Sequence, residues 1–187
     1  PNETILIEPG AMSRMSSNLD SSFQRQGGFF SAMFRKMFGG ENFFLGKYEH
    51  PDGGKLTFAP SIPGHVEHRQ LTNNSLNIMA GGFLACTPGV NIKAKFGGLK
   101  ALFSGEGAFL LEASGSGDLF FNSFGGIVEK EINGEFIVDT GHVVAFDPSL
   151  DYKITGMGSF KSTMLSGEGM VMRFSGNGKL YLQTRNV

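Results

Sequence analysis

Tryptophan is missing from this sequence, and cysteine occurs once, at Cys86. A lone thiol excludes an intramolecular disulfide and a thiolate zinc site, and it suits a reducing, intracellular compartment, cytoplasmic in a prokaryotic cell. Charge is also sparse. Asp, Glu, Lys and Arg make up 18% of the chain, the 16 basic and 17 acidic side chains nearly cancel, and no block of one sign occurs. Nucleic acid as a partner therefore gains no electrostatic support. No uninterrupted apolar run approaches the roughly 20 residues that span a bilayer.

What is plentiful is glycine, at 28 of 187 residues, and phenylalanine, at 19. Many glycines with a 40% hydrophobic content fit short strands joined by tight turns, in a chain long enough to bury a core. Such apolar content excludes a disordered chain.

A unit repeats along the sequence. Ser104-Gly105-Glu106-Gly107 returns as Ser166-Gly167-Glu168-Gly169, and Ser114-Gly115-Ser116-Gly117 returns as Ser175-Gly176-Asn177-Gly178. A diverged copy reads Gly40-Glu41-Asn42, and leucines 56, 119 and 180 enter a strand after each glycine cluster. Gly10, Gly82 and Gly141 each precede an apolar stretch. The period is about 60 to 65 residues, which predicts one domain over 1–187 with three units near 1–61, 62–129 and 130–187. Residues 10–61, 82–129 and 141–187 should superpose.

Alternation in Val90-Asn91-Ile92-Lys93-Ala94 and in Leu150-Asp151-Tyr152-Lys153-Ile154 marks half-buried strands, as does Leu180-Tyr181-Leu182-Gln183 with Tyr181 outward. The glycine clusters read as hairpin turns or bulges. Phe83, Ile92, Phe109, Val144, Ile154, Val171 and Leu182 are the expected core. Phe29, Phe30, Met33, Phe34, Met37 and Phe38 fall at helical spacing with Gly39-Gly40 as a stop, and Leu99–Phe103 and Phe160–Leu165 are shorter counterparts. The fold class is thus all-β, three repeated β units with short helices in the connecting loops.

The string Glu8-Pro9-Gly10-Ala11-Met12, the glycine-flanked Phe/Met segment before Gly40-Glu41, Pro63-Gly64 and Phe83-Leu84-Ala85 carry a resemblance. So do Gly105-Glu106-Gly107, the stretch from Val138 to Phe146, and the ending from Gly176 to Arg185. Across nearly its whole length the chain resembles a family long labelled a domain of unknown function. Its fungal member is called altered inheritance of mitochondria twenty-four, a mitochondrial biogenesis protein associated with inner-membrane organisation. The resemblance implies a pseudo-threefold fold like that of the tryptophan RNA-binding attenuation protein, grouped with double-stranded β-helices. It supplies no catalytic residue, and it implies that this chain is shortened at its start by a strand or two.

Chemistry-bearing residues are few. Glu41, Glu106 and Glu168, one per unit, could ring a cation or act in acid–base work; turn glutamates accepting backbone N–H bonds are the preferred reading, because a catalytic site needs different groups in different roles. His65 and His68 on a strand point to opposite faces and cannot chelate together. Asp139 and His142 lack a serine in a nucleophile elbow, and Asp139-Thr140-Gly141 reads as a turn. The glycine pairs lack a following Gly-Lys-Ser/Thr, and Cys86 has no neighbouring base. No enzyme, metal site or cofactor is expected.

The leading expectation is a non-catalytic scaffold or interaction protein acting through protein or membrane-surface contacts. The alternative is a binding module for a small ligand or nucleic acid. The partner classes are a homo-oligomer, and a peripheral membrane or protein partner met through Phe29–Phe38.

Overall fold

The computed structural model describes residues 1–25, 44–96, 109–156 and 170–186. They form thirteen strands: β1 (Thr4–Ile7), β2 (Met12–Met15), β3 (Asp20–Arg25), β4 (Phe44–Glu49), β5 (Leu56–Phe58), β6 (Val66–Met79), β7 (Phe83–Cys86), β8 (Val90–Phe96), β9 (Phe109–Asn122), β10 (Ile127–Asp139), β11 (Val143–Phe146), β12 (Leu150–Gly156) and β13 (Met170–Gln183). One 3-10 turn, Thr140–His142, stands where the turn after Asp139 was expected. The all-β class holds, and the described residues contain no α-helix. The helices expected at Phe29–Phe38, Leu99–Phe103 and Phe160–Leu165 lie outside the described residues.

Eleven strands join one sheet in antiparallel pairs, along the path β10-β13-β11-β6-β9-β7-β1-β4-β3 with β8 and β12 attached to β9 and β13; β2 and β5 form a separate pair. The long strands are spines. Along one edge β9 pairs with β6 from Val66↔Asn122 to Met79↔Leu110. Along its other edge it takes β8 on its first half and β7 on its second. β13 does the same with β10, β12 and β11. Near the start the spine is interrupted, so that β4 takes β1 and β3 while β5 takes β2.

This arrangement corrects the reading of the glycine clusters. Ser114–Gly117 and Ser175–Gly178 are not hairpin turns; they lie inside β9 and β13, at the point where two short strands meet on one edge. Close approach explains the residue type. A Cβ on Gly115 would sit 2.3 Å from the Gly89 carbonyl oxygen, and Gly115 has φ +123. On Gly117 it would sit 2.3 Å from Thr87 Oγ1. Only a residue without a side chain lets the turn cross the spine so closely.

Two apolar clusters form the core. One holds Leu6, Leu76, Ile78, Phe83, Phe121 and Tyr181; the other holds Phe146, Leu150, Met172, Phe174 and Leu180. Of the expected core, Phe83, Ile92, Val144 and Val171 are buried, while Ile154 and Leu182 are half-buried against the second cluster. The Phe109 side chain lies outside what is described. Tyr181, expected outward, is buried in the first cluster while its neighbour Leu180 is buried in the second. Here β13 is covered on both faces, and alternation along the strand fails as a guide to exposure.

Candidate functional site

One turn recurs on the spines with the same bonds. Leu19 N–H donates to Ser16 O at 3.1 Å, Val90 N–H to Thr87 O at 3.0 Å, and Leu150 N–H to Asp147 O at 3.1 Å. Ser16, Thr87 and Asp147 each donate an N–H to a spine carbonyl, those of Lys55, Asp118 and Lys179. In return the same three spine residues donate their N–H groups to Ser16 Oγ, Thr87 Oγ1 and Asp147 Oδ2, each at 2.9 Å. A short oxygen-bearing side chain at a turn is well suited to take a backbone N–H that the ladder leaves over. Sequence reasoning missed these three positions. The signal was present in Thr87-Pro88-Gly89-Val90 and Asp147-Pro148-Ser149-Leu150, though Ser16-Ser17-Asn18-Leu19 hides it.

At Asp147 the turn becomes a charged network. Arg69 Nη1 donates to Asp147 Oδ1 at 3.0 Å and to the Tyr181 hydroxyl at 3.1 Å, with its guanidinium 5.8 Å from the Tyr181 ring centre. Both partners of the ion pair are about four-fifths buried, Arg69 22% and Asp147 19% exposed in the side chain. Beside them Lys179 Nζ donates to Glu129 Oε1 at 2.6 Å. That bond holds the Glu129 carboxyl below its usual range and the Lys179 ammonium above its own. Burial raises the Tyr181 phenol. With each charge matched, the network joins β6, β10, β13 and the β11–β12 turn, and its chemistry is structural.

A cleft of about 370 Å³ lies beside β1 and the β7–β8 turn, lined in part by Thr4, Tyr48, Glu49, His50, Pro88 and Asp118. Its polar groups are largely committed. Glu49 accepts from Thr4 Oγ1 at 2.7 Å and from Lys47 Nζ at 2.5 Å, and the Lys47 bond lowers its carboxyl below the usual range. Asp118 Oδ1 lies 2.7 Å from His68 Nε2, and the His68 ring stacks on Phe120. His50 Nδ1 accepts from Asp52 N–H at 3.1 Å. Glu8, at the end of β1, differs: its carboxyl meets no hydrogen-bond or ionic partner among the described residues, and burial pushes it up to about 7.

The other sequence candidates take separate places. Cys86 is fully buried, its thiol pushed up to about 12 by burial, and its Sγ faces Val90 O at 3.9 Å. His65 pairs with Glu67 at 3.3 Å, apart from the His68–Asp118 pair. Asp139 accepts the Gly141 N–H and His142 Nδ1 meets the Gln183 carbonyl at 2.8 Å, so both serve the backbone. Among the described residues, no three His, Cys, Asp or Glu side chains gather as a metal-binding group. Phe29, Phe30, Met33, Phe34, Met37 and Phe38, and likewise Glu41, Glu106 and Glu168, lie outside the described residues. They fall between strands that pair with each other: 26–43 between β3 and β4, 97–108 between β8 and β9, 157–169 between β12 and β13. Among the described residues, no helix is long and apolar enough to cross a membrane.

Known proteins are similar to this chain in sequence and in fold. The chain is 32% identical over 176 residues to an uncharacterized protein of Streptococcus pyogenes serotype M6, covering 92% of this chain and 71% of that one. Its fold matches the crystal structure of a Streptococcus pyogenes protein from a structural genomics consortium with a TM-score of 0.79, at 29% identity, over 98% of this chain and 84% of that one. The model of the family described as Mitochondrial biogenesis AIM24 matches residues 1–185. The chain therefore belongs to the mitochondrial biogenesis AIM24 family.

Proposed function

We propose that this protein is a non-catalytic scaffold, cytoplasmic, built of three β units like those of the attenuation-protein fold, which acts through protein or membrane-surface contacts. The three-unit organisation is supported by the turn anchored at Ser16, Thr87 and Asp147 and by the matching partners of β9 and β13. Polar side chains that recur in this way hold the backbone together, a structural role.

The observation that carries the contact role is an inequality among the three connections. Residues 26–43 hold five phenylalanines, whereas 97–108 and 157–169 hold one each. Closing the same kind of strand pair does not call for four extra aromatic rings. Arg35 and Lys36 in that segment have the sign that meets anionic headgroups or an acidic partner.

The double variant Phe30→Ser/Phe34→Ser tests this. Vesicle flotation and light scattering should show a folded, soluble protein that has lost its lipid or protein association. Retention of both by the folded variant refutes the reading. A small-molecule or RNA ligand found by thermal-shift screening would favour the binding-module alternative instead.

A further inference from the structure

Two junctions in the sheet are built alike, and the parts of a third are present but unjoined. β7 lies on the outer edge of β1, with Cys86 opposite Leu6 and Ala85 opposite Ile7. β11 lies on the outer edge of β6, with Phe146 opposite Asn77 and Ala145 opposite Ile78. Cys86 and Phe146 each stand immediately before an anchoring turn residue, Thr87 and Asp147. Met15 on β2 stands before the third, Ser16.

The receiving edges also correspond. Leu6 faces Lys47 across the ladder, and Lys47 faces Ser22 on its other side. Asn77 faces Glu112, which faces Lys93. Ile137 faces Arg173, which faces Lys153. Ser22, Lys93 and Lys153 stand at the same step after Ser16, Thr87 and Asp147, so Ile137 on β10 occupies the place of Leu6 and Asn77.

The third junction would set Met15 opposite Ile137 and Arg14 opposite Val138. Among the described residues it is not made: there β2 pairs with β5 alone, and β10 with β13 alone. Exposure records the difference. Cys86, Phe146 and Leu6 are 0% exposed and Asn77 5%, against 38% for Met15 and 46% for Ile137. All four residues of β2 are exposed, and all four of β7 and of β11 are buried.

We propose that a second copy of this chain completes the third junction, with β2 of one copy added to the outer edge of β10 of the next in the register Met15↔Ile137, Arg14↔Val138. Among the described residues neither outer edge has a strand partner, and the side chains that would meet are apolar at Met15, Ile137 and Val138. Such edges pair by strand addition. Because the two edges differ, the contact is head-to-tail and assembles copies into a ring or a linear chain, not a two-fold dimer. The inference rests on the three-unit organisation proposed above and involves residues of β2 and β10 alone.

Disulfide trapping tests it. Residues directly opposite on paired antiparallel strands have Cα atoms about 4.5 to 5.5 Å apart, within reach of a disulfide. The native Cys86 is buried and supplies no competing thiol. Single variants Met15→Cys and Ile137→Cys of the 187-residue chain, mixed under mild oxidation, should give a covalent dimer several-fold more abundant than either variant alone gives. The Met15→Cys/Ile137→Cys double variant should give a ladder of higher masses, and Met15→Lys should lower the mass seen by light scattering while leaving the circular dichroism spectrum unchanged. No mixed dimer from folded variants overturns the proposal. A double variant that links only within its own chain also overturns the second copy as occupant. Neither failure touches the contact role of Phe29–Phe38, which flotation reads separately.

Discussion

Ser16, Thr87 and Asp147 do the same backbone task with three different side chains, which makes a natural mutation series. Truncation to alanine removes an acceptor from a spine N–H in each case. At Ser16 and Thr87 one neutral bond is lost, worth about 0.5 to 1.5 kcal/mol net. Ser16 belongs at the low end, because its bond is exposed while that of Thr87 is part-buried. At Asp147 two charge-assisted bonds go, from Lys179 N–H and Arg69 Nη1, and the largely buried guanidinium keeps the Tyr181 hydroxyl as its hydrogen-bond partner. An uncompensated charge in a fully buried site costs about 3 to 5 kcal/mol; with about a fifth of each side chain still in contact with water, Asp147→Ala should cost about 2 to 3 kcal/mol. Urea denaturation followed by circular dichroism reads the series, provided the m-values stay equal. The expected order of loss is Asp147, then Thr87, then Ser16. In an Arg69→Met background Asp147→Ala should cost less, since no cation is left unpaired. A loss at Asp147 no larger than that at Thr87, or no coupling to Arg69, refutes the network reasoning.

Gly115→Ala should destabilise by about 2 to 4 kcal/mol, from φ strain and a Cβ driven into the Gly89 carbonyl, read as a lower urea midpoint. Phe174→Ala, deleting a fully buried ring of β13 that meets Phe146 edge-on, should cost about 3 to 5 kcal/mol in the same assay. Glu8 has a folded-state value of about 7 against an ordinary 4.5, so the native state binds the extra proton and stability falls as pH rises through that window. Discounted for partial exposure the change is about 2 kcal/mol, and Glu8→Gln should abolish that slope and be the more stable protein at pH 8. Cys86 should react with a thiol reagent only as fast as the chain unfolds, so fast labelling under native conditions would refute its burial.

Alternating Val90 and Ile92 were legible because a strand with one buried face writes its environment into every second residue, and the run at Phe83 because a strand buried throughout is apolar throughout. Tyr181 was not, because β13 is covered on both faces there and polarity no longer reports direction. The mid-strand glycines misled for another reason: a glycine required by a neighbouring backbone looks identical in sequence to one required by a turn. The anchoring trio was readable at Thr87-Pro88 and Asp147-Pro148, but serine at the first position shares only its oxygen with them.

The order in which these edges leave the ribosome has a consequence of its own. β6 is synthesised long before β11, so the outer edge at Asn77 and Ile78 waits unpaired until the chain has grown past Phe146. β10 must likewise wait for β13, which follows it in the chain. The long pairings β6–β9 and β10–β13 join partners distant in sequence, which predicts slow folding and a nascent chain that carries sticky strand edges. In a crowded cell, chains on neighbouring ribosomes would meet through the edges that their own later segments normally cover, and a holding chaperone should raise the yield of native protein.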